Sequence, residues 1–149
     1  MPADPPSPPP SKNRAAPKPG RAANRPTLLV ADDDDSVRDF VRIVLERAGF
    51  TVVTATNGRD AGHLFAATPS AFDLVLTDVV MPFATGVELA ARVRALRPDL
   101  PVLFMSAFAG GSELELHPLP PDEPLLEKPF PMAELLKVVR AALGARNAT

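Results

Sequence analysis

From Thr27 onward the chain alternates between two hydrophobic periods, and that alternation restricts the folds open to it. Short apolar runs stand at 27–31, 51–55, 73–77, 101–105 and 124–127. Runs of this length, bounded by turn residues, read as strands buried on both faces. Longer stretches with apolar residues at helical spacing lie between them. Val37, Phe40, Val41, Val44, Leu45 and Ala48 form a stripe over about 35–48. Gly49 closes it, a residue suited to a left-handed helix end. A second helix is expected over about 58–67, opened by the Asn57-Gly58 turn. A third runs over about 86–97, with Leu89, Ala90, Val93 and Leu96 inward. A last one covers about 131–144, with Met132, Leu135, Leu136, Val139 and Leu143 inward. Strands alternating with helices imply a parallel sheet covered on both sides. The expected class is α/β: a flavodoxin-like, doubly wound, five-stranded parallel sheet in the order 2-1-3-4-5, within three αβα layers.

One segment breaks the alternation. A helix belongs between the fourth and fifth strands, yet Ala109-Gly110-Gly111 is followed by Pro118, Pro120, Pro121 and Pro124. Proline cannot continue a helix interior. A degraded helix of one short turn at most, followed by an irregular loop, is expected over 107–124.

Composition sets the outer limits. Residues 1–26 are rich in Pro, Ala and basic side chains and almost lack large apolar ones. They cannot bury enough surface to offset ordering entropy, so a disordered tail with local polyproline II character is expected. The folded domain should span 27–144, leaving a short C-terminal tail at 145–149. The net charge is −2, and because the tail is basic the remainder is acidic, which argues against a nucleic-acid partner. The absence of Cys excludes a disulfide scaffold and thiolate chemistry. No apolar stretch is long enough to span a bilayer, and the N-terminus lacks the apolar core of a signal peptide. A cytoplasmic protein without a membrane partner is expected.

The polar residues at the ends of the apolar runs carry the chemistry. Asp32-Asp33, Asp78, Ser106 and Lys128 each fall just past such a run. In a parallel sheet they share its carboxyl edge, where open α/β sheets bind ligands. Three crowded carboxylates repel one another, and a cation relieves that. An oxygen-only donor set without His or Cys suits Mg²⁺ or Mn²⁺. Mg²⁺ commonly shares its shell with phosphate oxygens. Lys128 supplies positive charge for such a group, and the Ser106 hydroxyl can donate to it. One carboxylate can then act as nucleophile and form an aspartyl-phosphate. Phosphoryl transfer is mostly positioning and charge neutralisation, so this small set suffices for an activated donor. Asp34 and Asp35 are read as helix-start residues. His63 and His117 are read as structural.

Val30-Ala31-Asp32-Asp33-Asp34, Asp73-Leu74-Val75-Leu76-Thr77-Asp78-Val79-Val80-Met81-Pro82, Pro101-Val102-Leu103-Phe104-Met105-Ser106-Ala107 and Glu127-Lys128-Pro129-Phe130 together resemble the four signatures of response-regulator receiver domains. The resemblance runs over about 27–144. It implies that Asp78 accepts a phosphoryl group from a phosphohistidine on a sensor histidine kinase or histidine phosphotransferase. It implies that Asp32, Asp33, Asp78 and the Val80 backbone carbonyl hold Mg²⁺. Ser106 takes the switch position, Lys128 that of the invariant lysine, and Pro129 is expected to follow a cis bond. Val80 and Phe108 would flank the acceptor and slow hydrolysis.

Three departures from the family pattern stand out. Leu125 occupies the place of the switch aromatic. Prolines interrupt the segment 107–124. The turn Phe83-Ala84-Thr85-Gly86 lacks the common Asp before Gly. In style the chain is closest to receivers of hybrid histidine kinases.

The leading expectation is a stand-alone receiver, since only about five residues follow the last helix. It would be a phosphoacceptor rather than an enzyme, signalling by protein contact or phosphorelay to an unidentified downstream partner. A receiver-like interaction module that is not phosphorylated is the second reading. A haloacid-dehalogenase-like phosphatase is the third, prompted by the Asp32-x-Asp34 spacing. That family's later acidic pair is missing, and Asp78 would have no task in it.

Overall fold

The computed structural model describes residues 25–106 and 125–147. The order is β1 (Thr27–Ala31), α1 (Asp35–Arg47), β2 (Thr51–Ala55), α2 (Gly58–Ala67), a 3₁₀ turn (Pro69–Ala71), β3 (Leu74–Asp78), α3 (Gly86–Leu96), β4 (Val102–Ser106), β5 (Leu125–Glu127) and α4 (Met132–Asn147). The strands form one parallel sheet in the order β2-β1-β3-β4-β5. This is the flavodoxin-like order that the alternation predicts. The expected degraded helix at 107–124 and nearly all of the expected tail at 1–26 lie outside the described residues.

The two-residue period of each strand sends side chains to opposite faces. Leu29, Val75, Val102 and Phe104 pack with Ala61 and Phe65 of α2 and Leu89, Ala90 and Val93 of α3. Leu28, Val30, Leu76, Leu103, Met105 and Leu126 pack with Val41, Val44 and Leu45 of α1 and Leu135, Val139 and Leu143 of α4. The sheet is thus the middle of three layers. Burying these branched and aromatic side chains stabilises the fold by roughly 1.5–3 kcal/mol each before entropy is counted.

Helix ends follow local chemistry. The Asp34 carboxylate accepts the Ser36 and Val37 N–H groups at the start of α1. At its other end Gly49 takes φ 103°, its N–H bonds Glu46 O at 3.0 Å, and the Phe50 N–H bonds Leu45 O at 3.0 Å. That is a Schellman closure. Thr85 and Glu88 form a reciprocal capping box on α3, with bonds of 2.9 and 3.1 Å. Thr85 therefore caps the helix in place of the missing Asp.

Some boundaries and faces differ from expectation. β3 and β4 each start and end one residue later than the apolar pattern suggests. Asp73 is held outside the ladder, its N–H on Thr27 O and its carboxylate on the Thr27 N–H, each at 2.8 Å. At the other end the Val79 N–H bonds Met105 O at 3.0 Å and keeps pairing intact through Asp78. Asp78 and Ser106 are therefore the last residues of their strands, not the first beyond them. Leu96 and Met132 were expected inward but are 50% and 56% exposed. Leu96 is the last residue of α3 and Met132 the first of α4, so each lacks a neighbouring helical turn on one side. Phe40 is also 40% exposed, its ring 6.2 Å from that of Phe130. α4 continues past 144 to Asn147, because a glycine such as Gly144 weakens a helix without ending it. No helix among the described residues is long and apolar enough to cross a membrane.

Candidate functional site

Four adjacent strands, β1, β3, β4 and β5, bring the polar run-end residues to one edge. β1 and β3 flank the point where the strand order reverses, which opens a crevice at their carboxyl ends. Asp32 follows β1, and its N–H bonds Ala55 O at 3.2 Å, which continues the pairing with β2. Asp32 is fully buried, Asp78 is buried at the end of β3, and Asp33 is exposed. Carboxylate oxygens of Asp32, Asp33 and Asp78 all lie within 4.8 Å of one another.

Lys128 enters from β5. Its N–H bonds Ser106 O at 2.7 Å, so the β4–β5 pairing carries it to the edge, and the following Lys128–Pro129 bond is cis. The ammonium lies 2.9 Å from Asp32 Oδ2 and 3.2 Å from Asp78 Oδ1. Burial alone would lower the pKa of this lysine. The contact with Asp32 and the charge of Asp78 outweigh burial, and its pKa is raised above the usual lysine value.

Asp32 is held from several sides. Its Oδ1 accepts the Asp34 N–H at 2.9 Å, and its backbone carbonyl accepts Arg38 Nη1 at 2.8 Å. Its Oδ2 is close to the ammonium, yet no hydrogen-bond donor among the described residues is aligned on it. Coulomb attraction tolerates the poor alignment that a hydrogen bond does not, so the contact is an ion pair with capacity left on the oxygen. Three carboxylates against one ammonium leave the cluster with a net negative charge. A buried oxygen without an aligned donor, within an oxygen-only anionic cluster, fits a hard divalent cation.

The loop from β3 to α3 folds back over this edge. The Gly86 N–H bonds Val79 O at 2.7 Å, and a Cβ on Gly86 would come within 2.1 Å of Asp78 O. Only glycine allows that approach. Val80 lies in this loop, partly buried against the α2–α3 side of the core. Ser106 is fully buried at the end of β4, the strand beside that of Asp78. Leu125 opposes Phe104 in the register and is half-buried against the same α2–α3 side. An aliphatic side chain thus occupies the place where the resemblance expects an aromatic switch. Phe108 and His117 lie outside the described residues, and His63 is exposed on α2.

Sequence reasoning passed over three residues next to the site. Arg38 ties the Asp32 carbonyl to α1 and pairs with Asp35. Gly58 packs on the loop, since a Cβ there would sit 2.1 Å from Ala84 O. Arg59 stacks on Phe83. The Asn57-Gly58 pair signals a turn, but a glycine opening a helix also signals close approach by another backbone.

Comparison with known proteins bears on this arrangement. A sequence model described as "Response regulator receiver domain" matches residues 28–140. The response regulator receiver protein CpdR of Brucella abortus is 36% identical over 118 residues, which cover 79% of this chain and 97% of that protein. The DNA-binding transcriptional regulator NtrC of Rhizobium meliloti is 38% identical over 125 residues, 79% of this chain but 24% of that protein. A receiver protein structure from Sinorhizobium medicae superposes with a TM-score of 0.72 at 31% identity, covering 82% of this chain and 97% of that one.

Proposed function

The chain belongs to the response-regulator receiver family of two-component signalling, and on that premise we propose that Asp78 is its phosphoacceptor. The observation that carries this reading is the placement of Lys128, whose ammonium sits 2.9 and 3.2 Å from Asp32 and Asp78. The donor is a phosphohistidine on a sensor histidine kinase or a histidine phosphotransferase. An Asp78 carboxylate oxygen attacks phosphorus, the P–N bond breaks, and its electron pair returns to the imidazole nitrogen. Lys128 then balances charge on the incoming phosphoryl oxygens, and the Ser106 hydroxyl donates to one of them. Asp32 and Asp33, with Asp78 and the Val80 carbonyl, would hold the Mg²⁺ ion. When bound, that ion supplies charge neutralisation for an anionic nucleophile meeting an anionic donor.

Output is by protein contact or onward phosphotransfer. Leu125 in the switch position favours a readout that does not swing an aromatic ring. Intact-mass spectrometry after incubation with acetyl phosphate and Mg²⁺ tests the proposal. One phosphoryl adduct is expected, absent in EDTA and in Asp78→Asn. No adduct from either acetyl phosphate or a phosphohistidine donor would favour a receiver-like interaction module instead.

A further inference from the structure

We infer that Arg59 is a positioning residue: it clamps Phe83 and thereby holds the loop between β3 and α3 in the shape that the site beside Asp78 requires. The inference rests on the reading of Asp32, Asp33 and Asp78 as a Mg²⁺ site.

Phe83 has φ 75°, the only positive φ at a non-glycine position among the described residues. The Ala84 N–H bonds Pro82 O across it at 2.8 Å, closing a three-residue turn of the strained kind. A bulky side chain in this region is an outlier. It persists only where the surroundings hold it. Core packing does not hold Phe83, whose side chain is 70% exposed. The Arg59 guanidinium carbon, however, lies 4.2 Å from the centre of its ring, well within cation–π range. Gly58, the neighbour of Arg59, rests against Ala84 O. The first turn of α2 is therefore seated on the tip of the loop at two consecutive residues.

The two ends of the loop are fixed differently. Near Asp78 the restraint is backbone on backbone, through Gly86 against Asp78 O and the Gly86 N–H on Val79 O. At the tip the side-chain restraint is Arg59 on Phe83. Between these anchors Met81 is buried in the core and Val80 packs against it, so slack at Phe83 reaches the carbonyl proposed to face the ion along the backbone of Pro82 and Met81, as a small shift. The rival partner of Arg59 is Asp60, with Nε to Oδ1 at 3.8 Å and both side chains about half exposed. Solvent screens that pair to little effect.

A Mg²⁺ titration followed by ¹H–¹⁵N spectra tests the inference on the full chain. The variants are Arg59→Ala, Arg59→Lys, Phe83→Gly and Arg59→Ala with Phe83→Gly. Arg59→Ala should weaken Mg²⁺ binding by about two- to fivefold, the factor an exposed cation–π contact supplies. It should also move the Val80 and Ala84 amide signals, while Arg59→Lys retains most of the affinity. In the Phe83→Gly background, Arg59→Ala should add nothing. Wild-type affinity in Arg59→Ala with a lowered melting temperature would make Arg59 merely structural and overturn the inference. Additive losses in the double variant would overturn it as well. Failure of the wild-type chain to bind Mg²⁺ is a separate result: it removes the metal reading itself, and the clamp falls with it.

Discussion

Lys128, just past β5, holds its ammonium 3.2 Å from Oδ1 of Asp78 at the end of β3, with β4 between the two strands. The same ammonium lies 2.9 Å from Asp32 beyond β1. One side chain thus ties the carboxyl ends of three strands. It does so where two buried carboxylates would otherwise face each other unscreened.

Lys128→Met should therefore cost stability as well as chemistry. Removing one partner from a buried ion pair costs about 3–5 kcal/mol, because the remaining charges stay buried. Urea unfolding in EDTA should show a loss at or somewhat below that range, since the lysine retains some exposure. Mg²⁺ should restore part of it by replacing the missing positive charge. Adduct formation from acetyl phosphate should not recover, and should fall about 100-fold, as for loss of one preorganised oxyanion donor. A variant as stable as wild type in EDTA would show that the ion pair does not hold the edge together.

The raised pKa of Lys128 gives this contribution a pH window. A lysine whose folded pKa exceeds its unfolded value binds its proton more tightly when folded. Its contribution is complete below the unfolded value, about 10.4, and is lost as pH rises through the higher folded value. Urea midpoints of wild type and Lys128→Met in EDTA should differ at pH 8 and converge above about pH 10.4. A gap that widens with pH would have the wrong sign for this account.

The edge residues were legible because a parallel sheet turns chain order into spatial order. Once five apolar runs are read as parallel strands, Asp32, Asp78, Ser106 and Lys128 must share one edge, whatever the details of packing. Gly49 was legible for a similar reason, since helix closure is local. Phe40, Leu96 and Met132 were misplaced because periodicity defines a face, while burial depends on where the neighbouring element stops. The Arg59–Phe83 contact was out of reach. It depends on the pivot of α2 against a loop and on a left-handed phenylalanine, and no residue pattern announces either.

Two glycines offer a matched test of the packing. A Cβ on Gly86 would meet Asp78 O at 2.1 Å, whereas one on Gly144 meets nothing within 4 Å. Backbone cannot yield as a flexible side chain does. Gly86→Ala should cost about 1–3 kcal/mol and displace the end of β3 that carries Asp78; if Asp78 is the phosphoacceptor, adduct formation slows with it. Gly144→Ala removes a glycine from an exposed helix position and should stabilise by up to about 1 kcal/mol. Thermal melts of both variants check the pair, and a neutral Gly86→Ala would contradict the close approach.

Adjacent aspartates at the start of α1 should separate cleanly by task. Asp34 caps the helix through the Ser36 and Val37 N–H groups at 2.9 and 3.2 Å, and its carboxylate is engaged there. Asp34→Ala should cost about 1 kcal/mol of stability with Mg²⁺ affinity little changed. Asp33 is exposed and contributes a carboxylate to the acidic cluster. Asp33→Asn removes one of the crowded negative charges, so stability in EDTA should hold or rise slightly. Its Mg²⁺ affinity should drop at least tenfold, because a hard cation loses a charged ligand. Denaturation in EDTA and a Mg²⁺ titration on both variants decide the matter. If the two effects were exchanged, Asp34 would be the ligand and Asp33 a bystander, and the metal site would have to be redrawn around the helix cap.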